Sequence, residues 1–261
     1  MKIGIFQFKP HLGAVDQNLR TIKKFLARPQ FDLAVLPELA TTGYNFLDRR
    51  QLAEVAESKG GPAFQFFEEL SVKKDAALVW GAAVKSGKKI YNSAVLTTPE
   101  GDHHIYHKIH LFYREKLIFD PGQNGFKVFK WRGFRIGLMV CFDWIFPESV
   151  RSLALKKAQI ICHPANLVLP YCQDAMVTRS LENRVFCFTA NRIGREDNGG
   201  ITYRFTGSSR ATDPTGKRIL TFTKSQQMFK TVKIKPDLAD IKKVNLYNDL
   251  FADRKTGQYS V

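Results

Sequence analysis

Cysteine is scarce in this chain: four in 261 residues, Cys141, Cys162, Cys172 and Cys187. No two of them stand in a CxxC or other zinc-ligand spacing. Scattered thiols in a chain of this length fit a reducing cytoplasm and argue against a disulfide framework. Long apolar runs are also missing. The longest are of strand length, so no membrane span is expected. The opening MKIGIFQFKPHLG turns polar too early for a signal peptide. No Ser/Gly/Pro-rich linker, low-complexity tract or repeat period breaks the chain, so one domain over residues 1–261 is expected. Blocks of like charge are absent too. The formal charge is +16, but the 40 Lys and Arg residues are dispersed and no nucleic-acid motif accompanies them. The surplus reads as a solvated basic surface, with nucleic acid not an expected partner.

What is present alternates between two periods. KIGIFQF, FDLAVLPE, HIYHK, FKVFKW, FRIGLMVC, AQIICHPAN and FCFTANRIG read as strands. AALVWGAAV and KIYNSAVLTT form a strand pair across KSGK, with PEGD a turn. DQNLRTIKKFLA has apolar residues at helical spacing, with Asp16 as its N-cap. GPAFQFFEELSVKKD is a helix with Pro62 in its first turn, and PESVRSLALKKA and QDAMVTRSLENRV are two more. SSRATDPTGKRILTFT, around the turn Asp213 to Gly216, and MFKTVKIKPD read as antiparallel strands. The pattern predicts an α/β layered domain with mixed sheets, several strands being covered on both faces.

Three predicted strand ends carry reactive side chains: Glu38, Lys108 and Cys141. Sites in α/β folds gather at the carboxyl ends of strands. A thiol attacks as thiolate, and a nearby ammonium favours that form. A carboxylate can take the proton and return it to a leaving amine, while the ammonium steadies an oxyanion. Together the three suit acyl transfer through a thioester, followed by hydrolysis. Each alone also has a plainer reading: a core thiol, a strand-end acid, a surface lysine. Spacing by itself does not bring them together. HHIYHKIH holds His103, His104, His107 and His110, but strand alternation splits them between two faces and no HExxH accompanies them, so no metal is expected.

The words around these residues resemble the nitrilase, or carbon–nitrogen hydrolase, superfamily. They are LPELATTGY, YHKIHLFYREK, GLMVCFDWIFPE, HPANL, RSLENRVF, GSSRATDPTG and DLFADRK, in the family's order over nearly the whole chain. HLFYREK with CFDWIFPES looks most like the small single-domain amidase/nitrilase branch of thermophilic archaea and many bacteria. The resemblance implies a four-layer α-β-β-α sandwich with two mixed sheets. It makes Glu38 the general base and acid, Cys141 the nucleophile, and Lys108 the oxyanion stabiliser together with the backbone N–H of Phe142. Glu115 would orient Lys108 and the substrate, and Asp143 would fix the turn. Tyr44, Tyr113, Trp144 and Asn166 are pocket candidates. No cofactor is implied.

A homodimer or larger assembly is implied as well. Residues 244–261, whose Leu246, Tyr247, Leu250 and Phe251 have no obvious partner within the chain, are expected at its twofold interface. The expected reaction cleaves the non-peptide C–N bond of a small amide, releasing ammonia and a carboxylic acid. Phe142 and Asp143 follow the cysteine where nitrilases usually carry Trp and Glu, which favours amides over nitriles. Nitrile hydrolysis and N-carbamoyl hydrolysis are the alternatives. A non-catalytic, basic nucleic-acid-binding scaffold is the alternative outside enzymes, and intact Glu38, Lys108 and Cys141 speak against it.

Overall fold

The computed structural model describes residues 1–259. In chain order the first strands are β1 (Lys2–Gln7), β2 (Leu33–Val35), β3 (Glu57–Ser58), β4 (Ala77–Ser86), β5 (Lys89–Thr97) and β6 (His103–His107). Then come β7 (Val128–Trp131), β8 (Phe134–Leu138), β9 (Ile160–Ala165) and β10 (Phe186–Asn191). A small hairpin, β11 (Arg195–Asn198) and β12 (Ile201–Arg204), precedes β13 (Arg210–Thr212), β14 (Arg218–Thr221) and β15 (Met228–Lys233). One sheet runs β15-β1-β2-β4-β5-β6, with β3 against β4; the other runs β14-β13-β10-β9-β8-β7. Both are mixed: β1–β2–β4 and β8–β9–β10 are parallel, and hairpin partners such as β4–β5 are antiparallel.

The period of two seen in the strands decides which face goes where. In the first sheet Ile3, Ile5, Leu33, Val35 and Val79 point inward, into one core with Leu138, Ile160, Cys162 and Phe188 of the second. The alternate residues Phe6, Ala34, Leu78 and Trp80 point outward. There they meet Ile22 and Leu26 of α1 (Val15–Leu26) and Phe64, Phe67 and Leu70 of α3 (Pro62–Lys74). Phe67 stacks on Trp80 with ring centroids 4.1 Å apart. Such side chains each contribute about 1.5–3 kcal/mol on full burial. On the far side α5 (Pro147–Leu155) and α6 (Cys172–Asn183) cover the second sheet, so the layers run α-β-β-α. Among the described residues no helix is long and apolar enough to cross a membrane.

The structure departs from the sequence reading at several places. Asp16 lies in the first turn of α1, and Ala14 takes the cap position. β2 stops at Val35 and β8 at Leu138, so Glu38 and Cys141 each stand three residues beyond their strand. Pro37 cannot donate to a ladder, and Leu39 and Cys141 take positive φ values of 47° and 41°, which turn the chain out of the sheet. Two short helices, α2 (Arg49–Val55) and α4 (Glu115–Ile118), lie in stretches that show no helical period. The C-terminal tail is not without partners in its own chain. Lys243 bridges to Asp249, and the Phe251 ring lies 5.1 Å from the Arg151 guanidinium and 4.8 Å from Lys242 Nζ. Its tip, Leu246 and Tyr247, is 79% and 86% exposed. Ser260 and Val261 lie outside the described residues.

Candidate active site

Close backbone packing positions Glu38. Leu36 N–H donates to Val79 O, Gly81 N–H to Pro37 O and Ala40 N–H to Gly81 O, which ties the segment after β2 to β4. A Cβ at Gly81 would lie 2.3 Å from Leu39 N and 2.4 Å from Glu38 Cα, so only glycine lets the two backbones pass. Lys108 directly follows β6; its N–H donates to Asn92 O and its carbonyl accepts from Gly122 N–H, both at 2.8 Å. Glu115 opens α4, and its Oε2 accepts from the Phe112 N–H at 3.1 Å.

These three side chains meet inside the protein. Lys108 Nζ donates to Glu38 Oε1 at 2.7 Å and to Glu115 Oε1 at 2.8 Å. Asn92 Nδ2 also donates to Glu38 Oε1, at 2.6 Å, while Glu38 Oε2 has no partner among the described residues. Tyr44 O–H donates to Glu115 Oε1 at 2.8 Å. Glu38 and Lys108 are fully buried and Glu115 nearly so. Burial alone would favour a neutral lysine, but the carboxylates of Glu115 and Glu38 outweigh it and hold the ammonium charged. Burial, with Glu38 adding to it and Lys108 opposing it, raises the Glu115 carboxyl to about 7. Two carboxylates thus share one ammonium, and Glu115 is the one poised to take a proton near neutrality.

Cys141 begins a single 3-10 turn, Cys141–Ile145. Asp143 fixes that turn: its Oδ2 accepts from Val140 N–H and Tyr106 O–H, both at 2.8 Å, and its Oδ1 lies 2.8 Å from His110 Nδ1. The left-handed φ of 41° at a non-glycine residue costs about 1–3 kcal/mol and turns the thiol out of the strand line. Burial pushes the thiol well above its ordinary range, Glu38 and Glu115 add to that, and Lys108 and the Asn166 backbone N–H oppose it. Cys141 is therefore a protonated thiol at neutral pH, so attack needs a proton acceptor.

His163, to which the sequence reading assigned no role, supports this turn. Its Nε2 is 2.9 Å from Cys141 O and its Nδ1 is 3.1 Å from Thr189 Oγ1. A carbonyl only accepts, so Nε2 carries the hydrogen and Nδ1 accepts from the hydroxyl. Burial pushes His163 down to about 4, from an ordinary 6.5. Between those values the unfolded chain binds the extra proton, so stability falls as pH drops through that window, by about 3 kcal/mol in full. Denaturant melts from pH 7 to pH 4 are expected to show this fall in the wild type and to lose most of it in His163→Gln. An unchanged slope would remove His163 as its cause.

Beside Cys141 lies a narrow cleft. Its walls are Phe112, Phe142, Trp144, Leu167, Val168 and Leu169, with Asn166 as the polar member besides the thiol. Of the four pocket candidates, Trp144 and Asn166 line it. Tyr44 does not; it lies edge-on against Tyr203 and Phe205 and holds Glu115. Tyr113 is 67% exposed and lines no part of this cleft. The four clustered histidines part company. His103 meets Glu68, His107 stacks on Tyr91, His104 stacks on Phe129, and His110 meets Asp143.

A buried ion pair behind the site also escaped the sequence reading. Arg192 Nη1 donates to Glu196 Oε1 at 2.8 Å, under the Phe205 ring. Glu196 Oε2 accepts from the N–H groups of Tyr44, at 3.0 Å, and Asn45, at 2.7 Å. The pair therefore fixes the backbone that presents Tyr44 to Glu115. The available signal was a buried-type polar residue inside an apolar word, as in QIICHPAN for His163 and FCFTANRIG for Arg192.

Known proteins resemble this chain in sequence and in fold. The carbon-nitrogen hydrolase family model matches residues 2–243. A nitrilase of Pyrococcus abyssi is 39% identical over 263 residues, 99% of either chain. An (R)-stereoselective amidase of a Pseudomonas species is 34% identical over 260 residues, 98% of this chain and 92% of the relative. A solved variant of the Nesterenkonia AN1 amidase, from the nitrilase superfamily, has a TM-score of 0.78 at 25% identity, covering 92% of this chain and 93% of that one. With the match spanning both sheets and every strand that leads to the buried Glu38–Lys108–Glu115 cluster, the chain belongs to the carbon–nitrogen hydrolase family and is a hydrolase of non-peptide C–N bonds.

Proposed function

We propose that this hydrolase converts small neutral amides to carboxylic acid and ammonia through a thioester on Cys141. One observation carries the reading: a buried ammonium, Lys108, bracketed by Glu38 and Glu115, near the Cys141 thiol at a cleft lined by uncharged residues. Glu38, whose Oε2 is unpartnered, takes the thiol proton as Sγ attacks the amide carbon. The C=O electrons move onto oxygen, and the oxyanion is met by Lys108 Nζ and the Phe142 N–H. Glu38 returns the proton to nitrogen, the C–N bond breaks, and ammonia leaves. Water then gives a proton to Glu38 and attacks the thioester carbon. The acid departs as the C–S bond breaks, and the thiol is restored. Glu115 keeps the ammonium in place between these events. No metal enters the scheme, because Lys108 supplies the positive charge.

Nitriles are the second reading, favoured by the Pyrococcus abyssi relative, which is called a nitrilase. Amide and nitrile pairs that differ only at the reacting group separate the two. The expected result is a higher kcat/KM for the amide, with Cys141→Ala as blank. A nitrile preferred tenfold, about 1.4 kcal/mol at the transition state, overturns the choice.

We also propose a homodimer that uses the exposed tail tip, and a cytoplasmic location, which suits four buried free thiols. Leu246→Glu with Tyr247→Glu touches only exposed side chains, so light scattering is expected to show a dimer becoming a monomer with unchanged melting. A wild-type monomer, or a dimer that survives both changes, defeats the interface.

A further inference from the structure

Asn166 follows directly on β9, whose Ala165 pairs in register with Asn191. The residue is 2% exposed and is one of those that line the cleft beside Cys141. Neither Oδ1 nor Nδ2 has a hydrogen-bond partner among the described residues. Buried polar groups are nearly always paired, and an unpaired one needs an explanation. Three other buried asparagines, Asn45, Asn92 and Asn183, also have an open Oδ1, but in each the Nδ2 is bonded. Asn166 is the one buried asparagine, among the described residues, with both ends open.

Support of the local backbone does not account for it. The turn is held by other groups: Leu167 N–H donates to Asn191 Oδ1, and Leu167 O accepts from Thr206 N–H, both at 2.9 Å. The amide of Asn166 is thus left free for something that enters the cleft. Whatever meets it can donate to Oδ1 and accept from Nδ2. The remaining wall is apolar, with no cation to match a carboxylate and no anion to match an ammonium. The complementary group is therefore neutral and two-sided.

We propose that Asn166 is the specificity group of this cleft, taking a neutral hydroxyl or carboxamide carried on the acyl part of the substrate amide. The proposal rests on the amide-hydrolase reading above, with the cleft as its acyl site. Asn166 Oδ1 accepts from the substituent's O–H or N–H, and Nδ2 donates to its oxygen. The aromatic and aliphatic walls take the carbon skeleton. A purely aliphatic acyl chain leaves both ends of the amide dry and unpaired, and this penalty makes the discrimination.

Two isosteric pairs test it: lactamide against isobutyramide, and 3-hydroxybutyramide against isovaleramide. In each pair a hydroxyl replaces a methyl, at the second or third carbon. The readout is the ratio of kcat/KM within a pair, in wild type and in Asn166→Leu; a ratio cancels any loss of folded enzyme. The wild type is expected to prefer the hydroxyl member of at least one pair by about tenfold or more. Asn166→Leu is expected to abolish or invert that preference while retaining the aliphatic member, with Asn166→Ala read in the same way if the leucine variant does not fold. Equal rates within both pairs in the wild type, or an equal fall for both members in the variant, overturn the proposal alone. Wild-type protein that hydrolyses no member of either pair defeats the amide reading, and the proposal with it.

Discussion

Cys141→Ala is expected to remove ammonia release to the level of the blank, a fall of about 10⁴-fold or more, in a protein that still folds. The two halves of that result come from different physics. Turnover disappears because no other group beside the cleft can form the covalent acyl bond; the other three cysteines are buried in or behind the second sheet. The fold survives because a sulfur-to-hydrogen change leaves a cavity smaller than a methylene-rich truncation would. The strain at position 141 is also unaffected, since alanine is no more at ease at a φ of 41° than cysteine is. The turn keeps its anchors, the Asp143 carboxylate to Val140 and His163 to the position-141 carbonyl. Residual activity in the purified variant above that of the blank would remove Cys141 from the mechanism.

Lys108→Met is expected to damage both rate and stability, and to change how stability depends on pH. The rate falls by on the order of 10²–10³-fold, the usual cost of losing an oxyanion donor. Stability falls by about 3–5 kcal/mol near neutral pH, because two buried carboxylates lose their shared cation. The Glu115 carboxyl, already raised with Lys108 present, then rises further, and the folded protein holds its proton more tightly. A carboxyl raised on folding stabilises at low pH and loses that contribution as pH rises past its unfolded value. Lys108→Met is thus expected to recover part of its deficit between pH 8 and pH 5, a recovery seen as a narrowing gap from Cys141→Ala in denaturant melts. A gap that stays constant over that range would mean that Glu115 does not depend on Lys108 for its charge.

Much of the fold is legible because its strands are short apolar runs set between turn residues, the mark of strands covered on both faces. Leu33 and Val35 face one way and Ala34 the other, and both faces are apolar because both are covered. Glu38 and Cys141 stand out because each ends an apolar word with a reactive group, whereas Lys108, inside the polar HHIYHKIH, stands out through the family resemblance. The supporting residues are harder to find. Asn92 meets Glu38 across 54 positions and Glu196 meets Tyr44 across 152. No periodicity links residues so far apart, so only the folded sheets reveal the pairing. α4 is a single turn, too short to show a helical period, yet it carries Glu115. The tail misleads for a related reason. Phe251 is held by Arg151 and Lys242, whose charged heads give no hint in the sequence of an aromatic contact.

The pairing of β1 with both β2 and β15 has a consequence for the order of assembly. Lys2 is in register with Lys233, and Ile234 N–H donates to Met1 O. Of the described strands β1 is synthesised first, but its second neighbour emerges only after both parallel segments, α6 and the β13–β14 hairpin have been synthesised. Until then an edge rich in Ile3, Ile5 and Phe6 stays open on the ribosome. That edge is a template for pairing with other chains, the kind of exposure that chaperones exist to shield. The high sequence separation of these contacts also predicts slow refolding from denaturant, with the first sheet closing late.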